Sequence, residues 1–187
     1  MKSIFRLLAI AIFILSLTGM SYGQMNIGFK GVGAKFGIAG PDGVDGSPIM
    51  FGGLVDLGNI TDAIRFGAFV DYWSKSESDS DGSFEVDFSA LTIAAMGYYY
   101  FPNESKAAPY VAAGLGFIRA KAGVSVNIGG LGSFSGSASS TDLSISVAGG
   151  VDLELSPKAT GRAEFKYNLG GIDYWAITGG VIFAMGN

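Results

Sequence analysis

The stretch Asp142-Leu143-Ser144-Ile145-Ser146-Val147-Ala148-Gly149-Gly150-Val151-Asp152-Leu153-Glu154-Leu155 alternates at every step between two kinds of side chain. Leu143, Ile145, Val147, Gly149, Val151, Leu153 and Leu155 fall on one face of an extended chain. Asp142, Ser144, Ser146, Ala148, Gly150, Asp152 and Glu154 fall on the other. Successive Cβ atoms of a β-strand point to opposite sides of the sheet, so this period of two predicts a strand that separates an apolar medium from a polar one.

Three more segments repeat the pattern. From Ala63 to Trp73, Ile64, Phe66, Ala68, Val70 and Tyr72 oppose Arg65, Gly67, Phe69 and Asp71. From Arg162 to Leu169, Ala163, Phe165, Tyr167 and Leu169 oppose Arg162, Glu164, Lys166 and Asn168, and a last segment places Trp175, Ile177, Val181 and Phe183 on one side. Four segments of less regular phase, about Ile27 to Ala39, Ile49 to Leu57, Ser83 to Phe101 and Pro109 to Ala122, bring the expected number of strands to eight. In the fourth of these, Arg119 and Lys121 share the parity of Val111, Ala113, Leu115 and Phe117. Either those bases snorkel at the rim of an apolar belt or a bulge shifts the phase; the rim position is favoured.

Composition says which medium lies on the apolar side. Charged residues make up 15% of the 187, against about 25% in ordinary soluble domains, and the mean hydropathy is +0.40. Past residue 23 no apolar run approaches the length of a membrane helix; the longest clean one is Tyr110 to Ile118. Only helices and closed barrels satisfy every backbone group in lipid, so a helix-free membrane chain has to close its sheet. The expected fold is all-β, an eight-stranded antiparallel up-and-down transmembrane β-barrel.

Connections fall into two alternating classes. Short turns are expected near Asn59 to Asp62, Pro102 to Ala107 and Ser156 to Gly161, and longer loops at Gly40 to Pro48, Ser76 to Gly82 and Gly123 to Ser140, with a shorter one near Gly170 to Asp173. Short turns on one side and longer loops on the other make the bacterial outer-membrane pattern, with both termini in the periplasm. Aromatic girdles are expected at the two interfaces, from Tyr72, Trp73, Tyr174 and Trp175 on the loop side and Tyr98 and Tyr100 on the turn side.

Pro109-Tyr110-Val111-Ala112-Ala113-Gly114-Leu115-Gly116-Phe117 resembles the fifth-strand signature of small eight-stranded outer-membrane barrels, the opacity-protein-like and OmpA-OmpX-type family. The resemblance implies outer-membrane lipid and the outer-membrane assembly machinery as partners. Two departures stand out: Ala112 occupies a position that is often Gly in the family, and the chain continues past Phe183 where a terminal aromatic is common.

The N-terminus fits export. Lys2 and Arg6 form a basic region, Leu7 to Leu17 an apolar core too short to cross a bilayer, and Ser21-Tyr22-Gly23 a small-x-small cleavage site before Gln24. Residues 1–23 are therefore read as a cleaved signal peptide and 24–187 as one barrel domain. Removing Lys2 and Arg6 takes the 12 basic residues to 10 against 16 acidic, so nucleic acid is not an expected partner.

The chain has no histidine and no cysteine, which removes the usual general base, the usual nucleophile pair and the commonest transition-metal ligands. Neither a cofactor nor catalysis is expected. Arg65, Glu85, Asp87, Asp152, Glu154, Arg162, Glu164 and Lys166 are expected to share the lumen as a structural charge network, because an eight-stranded barrel is only just wide enough for side chains to fill. Gly114, Gly116, Gly150 and Gly180 on the same side leave room for a narrow cavity. Glu77, Asp79, Asp81 and Gly82 match the first positions of a calcium loop, but Phe88 stands where the bidentate carboxylate is required, so a solvated loop tip is expected. Three functions fit: a surface-binding platform acting through its extracellular loops, a conduit for small apolar molecules, or a soluble lipocalin-like binder with its apolar face inward. The shortage of charge speaks against the last.

Overall fold

In the computed structural model the alternating segments form one continuous ladder. The structure describes residues 26–79, 84–128 and 132–185, so the expected signal peptide lies outside the described residues. Among them the strands are β1 (Asn26–Pro41), β2 (Ile49–Asn59), β3 (Ile64–Ser78), β4 (Phe84–Tyr100), β5 (Ala107–Ile128), β6 (Gly132–Ser156), β7 (Ala159–Leu169) and β8 (Tyr174–Ala184). Each pairs antiparallel with the next, and β8 pairs with β1 to close the barrel. Closure leaves the barrel wall without an open edge, which is what a sheet in lipid requires.

Both described chain ends, together with the β2–β3, β4–β5 and β6–β7 turns, lie at one end of the barrel, the terminal end; the other four connections lie at the far end. Register shifts between Ile27 and Gly31, Asp56 and Asn59, and Glu154 and Ser156 all sit at the terminal end. At the second, Gly58 adopts φ +90° and donates its N–H to Asp56 Oδ1 at 2.9 Å, a left-handed backbone that glycine takes without strain.

The barrel is apolar outside and polar inside. Phe36, Phe117 and Leu143 are 72%, 61% and 63% exposed, whereas Asp71, Lys166 and Asn168 are fully buried. This inverts the arrangement of a lipocalin-like barrel. β5 stays in unbroken register with both neighbours across Arg119 and Lys121, so no bulge shifts its phase; both bases face outward directly beyond Phe117.

One expected loop is a ladder. Gly123 to Ser140, which its Gly and Ser mark as a loop, instead extends β5 to Ile128 and starts β6 at Gly132, paired residue by residue. Pairing uses backbone groups, which Ser and Gly also carry, and Val124, Val126 and Phe134 keep the alternation beneath the small residues. Ser76, Glu77 and Ser78 likewise belong to β3, while residues 80–83 of the neighbouring loop, with Asp81 and Gly82 of the calcium-like spacing, lie outside the described residues. β3–β4–β5–β6 therefore continue past the far-end rim as a protruding sheet.

Candidate functional site

Alternate residues of the eight strands fill the lumen in layers. At the far end Trp73, Tyr174, Met50 and Ile118 form an apolar plug, with Phe88 and Ile172 packed against it and the Trp73 and Tyr174 rings meeting edge to face, centroids 6.2 Å apart. The Tyr174 hydroxyl lies 3.0 Å from Thr92 Oγ1 below the plug.

Next comes a layer of opposed charges. Asp71 of β3 is fully buried between two lysines, with Lys35 Nζ of β1 3.0 Å from its Oδ1 and Lys166 Nζ of β7 hydrogen-bonded to its Oδ2. Lys35 also approaches Glu164 Oε1 at 3.5 Å, and the Tyr110 hydroxyl donates to Glu164 Oε2 at 2.8 Å. Both ammonium groups sit over the Phe69 ring, 4.5 Å and 3.9 Å from its centroid. Ser144 and Ser146 donate to Asn168 Oδ1 at 2.9 and 2.8 Å. Two lysines against two carboxylates leave this layer neutral, and neutrality is what makes burying four charges tolerable.

Nearer the terminal end Arg162 of β7 grips Asp152 of β6 with Nε and Nη2, at 2.7 and 2.8 Å. Its guanidinium stacks between Tyr98 and Tyr110, 4.7 and 4.8 Å from their centroids. The Tyr100 hydroxyl closes the triangle, donating to Asp152 at 2.6 Å and accepting from Arg162 at 2.9 Å. The planar guanidinium suits both the carboxylate fork and the aromatic faces, a combination lysine cannot supply.

The lumen glycines serve this packing. A Cβ on Gly150 would lie 2.6 Å from the Tyr110 hydroxyl, one on Gly114 2.6 Å from the Met96 side chain, and one on Gly180 2.8 Å from Lys35 Cβ. The narrow cavity expected beside these glycines is filled by the large residues opposite them. A cavity of about 20 Å³ remains between Leu54, Tyr98 and Arg162, and one of about 590 Å³ opens at the terminal-end mouth among Asn59, Arg65, Tyr100, Lys106 and Glu154. Trp73 Nε1 and Asn168 Nδ2 are buried without a hydrogen-bond partner among the described residues.

The expected network is therefore partly assembled. Asp152, Arg162, Glu164 and Lys166 meet in the lumen. Arg65 and Glu154 point the same way but stand at the mouth, where Arg65 Nε is 3.5 Å from Asp56 Oδ1. Glu85 and Asp87 are not in the lumen. They carry the outward parity of β4 on the protruding sheet, opposite the inward Phe84, Val86 and Phe88, and Asp87 accepts a hydrogen bond from Ser76. Lys35 and Asp71 complete the network and are not among its sequence-predicted members. Asp71 shares the parity of Arg65, which is the signal for it.

Of the six girdle aromatics, Tyr72 and Trp175 face outward, and Tyr72 packs on Phe51 with centroids 5.4 Å apart. Trp73, Tyr98, Tyr100 and Tyr174 point inward instead, because consecutive strand residues alternate and each of these shares its strand's lumen parity. Tyr99 and Phe101 take the outward positions beside them, with ring centroids 5.4 Å apart.

Among the described residues no cluster of three or more acidic side chains is placed to hold a metal ion. Asp71, Asp152 and Glu164 are each already engaged by a cation or hydroxyl, so the middle of the lumen reads as a plug of paired charge.

The model for the family described as outer membrane protein beta-barrel domain matches residues 9–181. Among curated proteins none matches by sequence. Among solved structures, Neisserial surface protein A superposes with a TM-score of 0.61 at 22% identity, over 83% of this chain and 97% of that one. Ail, the attachment invasion locus protein of Yersinia pestis, gives 0.62 at 16% identity, over 85% and 99%. A major outer membrane protein of Thermus thermophilus gives 0.57 at 10% identity, over 81% and 99%. At these identities the likeness is one of fold.

Proposed function

Because the chain belongs to the outer-membrane protein β-barrel family, we propose that it is a non-enzymatic surface platform: a lipid-embedded barrel that holds its far-end connections outside the cell and binds through them. The observation that carries this reading is the protruding four-stranded sheet, which continues well past a barrel whose lumen is packed shut. A rigid mount with projecting elements suits recognition, which is commonly placed on connections held by a stable scaffold. The packed lumen weighs against a conduit, since the space beside the lumen glycines is occupied.

In this reading residues 1–23 direct export and are removed, the assembly machinery inserts residues 24–187, and both termini stay in the periplasm. Phe51, Tyr72 and Trp175 sit at the outer interface and Tyr99 and Phe101 at the inner one, matching the preference of aromatic rings for headgroup depth. Ail has been solved with the heparin analogue sucrose octasulfate. An anionic ligand of that kind suits the present chain less well, because the described far-end acids Asp42, Asp45, Glu77, Asp79, Glu85, Asp87, Asp142 and Asp173 outnumber Lys75, Arg119 and Lys121.

The test is an in-register deletion of 125–135, which leaves Ala122 paired with Ala138 across the short loop Gly123-Val124-Gly136-Ser137. Expressing cells should lose adhesion to protein-coated surfaces, while the barrel still migrates as a folded, heat-modifiable band. Unchanged adhesion with a folded barrel would contradict the platform reading.

A further inference from the structure

Charges in the middle of the lumen are paired; those at the terminal-end mouth are not. Asp62 of the β2–β3 turn, Lys106 of the β4–β5 turn and Glu154 of β6 line the cavity of about 590 Å³ there. Among the described residues their side chains make no ion pair and no hydrogen bond. Arg65 of β3 lines the same cavity and is only half held. The register shift between Asp56 and Asn59, where Gly58 takes its left-handed turn, sets Asn59 opposite Arg65, the kind of re-aiming that bulges produce. Arg65 Nε then donates to Asn59 Oδ1 at 3.3 Å and lies 3.5 Å from Asp56 Oδ1. Its two Nη groups make no hydrogen bond among the described residues, and its guanidinium carbon stands 6.0 Å from the centre of the Tyr100 ring.

The arrangement selects for charge of both signs. Arg65 and Lys106 cancel Asp62 and Glu154, and Asp152 at the cavity floor is already taken by Arg162. A purely anionic or purely cationic molecule would meet as much repulsion as attraction. Arg65 is on β3 and Glu154 on β6, with β4 and β5 between them, so these two groups face the cavity from separated parts of the ring. The Nη fork of Arg65 suits a carboxylate bidentately, and the Glu154 carboxylate suits an ammonium group. Asn59 Nδ2 and the Thr160 hydroxyl border the same space and suit a peptide carbonyl and N–H between those ends. A volume of this size lies in the range of small-molecule sites, roughly 300–1,000 Å³.

We propose that the terminal-end mouth binds a short zwitterionic peptide, a di- or tripeptide with free amino and carboxyl ends, its carboxylate on Arg65 and its ammonium on Glu154. Asp62 and Lys106 keep the surrounding field neutral, so that neither end of the ligand is favoured alone. The site needs no particular orientation of the barrel: failure of the platform reading leaves it standing, and its own failure leaves that reading intact.

The test follows backbone-amide NMR of the isotope-labelled full chain in detergent micelles during titration with Ala-Ala at millimolar concentration. Shifts should appear at Arg65, Glu154 and Thr160 and be absent at Ser135, beyond the opposite end of the barrel. With the unchanged chain, Ala-Ala amide and N-acetyl-Ala-Ala should each bind about tenfold more weakly, the loss of one charged hydrogen-bonded contact. These capped peptides keep the test independent of any folding defect in a variant. Arg65→Gln should bind Ala-Ala and its amide within about twofold of each other, and Glu154→Gln should do the same for Ala-Ala and its N-acetyl form, because each variant removes the group that reads that end. Absence of shifts at the mouth, equal binding of the capped and free peptides by the unchanged chain, or undiminished end preference in both variants overturns the proposal. Shifts of the same size with acetate alone would mark a simple anion site and overturn it as well.

Discussion

Asp71 is the residue on which the lumen turns, because it is the carboxylate both Lys35 and Lys166 reach. Asp71→Ala would leave the buried Lys166 without its carboxylate and Lys35 with Glu164 alone, and breaking a buried pair from one side costs about 3–5 kcal/mol. Urea unfolding in detergent micelles should show that loss, while Glu85→Ala on the protruding sheet should shift the midpoint little. Parity explains what the sequence discloses of this network. Asp152, Arg162, Glu164 and Lys166 stand on β6 and β7, whose alternation is unbroken, so their side of the wall is readable. Lys35 lies in a glycine-rich strand, Gly31-Val32-Gly33-Ala34-Lys35-Phe36-Gly37, where small residues on both faces blur the phase. Position along the chain assigns Trp73 and Tyr174 to the interface, although Trp73 has the parity of Arg65 and Asp71; rings at a strand's end can plug the lumen as readily as they border the lipid.

β5 carries the boundary between barrel wall and projection. Leu115, opposite Ala95 and Ile145, faces outward in the body of the barrel, whereas Ser125, opposite Glu85 and Ser135, has the same parity on the protruding sheet. Leu115→Arg should destabilise the folded barrel by about 2–4 kcal/mol, the cost of a cation near the bilayer midplane, and Ser125→Arg by far less. Equal effects in reversible unfolding from lipid vesicles would place the boundary elsewhere. The expected strand count and order agree with the structure because alternation and turn chemistry are local signals. The lengths of β5 and β6 do not, since Gly and Ser favour loops on average and only a partner strand makes them a ladder. That pairing is long-range information, absent from any single-strand reading.

At the scale of the molecule, an apolar exterior, a neutral and closed interior and a lopsided far end together make a fixed object that presents one flank. Export should leave a mature chain that begins at Gln24, a cut checked by intact mass of protein extracted from membranes; a mass retaining residues 1–23 would contradict it. Location and orientation are most directly tested by labelling. Because the chain contains no cysteine, Ser135→Cys in β6 and Lys158→Cys in the β6–β7 turn each provide a single site without background. On intact cells a membrane-impermeant maleimide should label Ser135→Cys and leave Lys158→Cys unmodified until the outer membrane is permeabilised. Labelling of Lys158→Cys on intact cells with Ser135→Cys protected would invert the barrel, and protection of both until permeabilisation would contradict a surface platform.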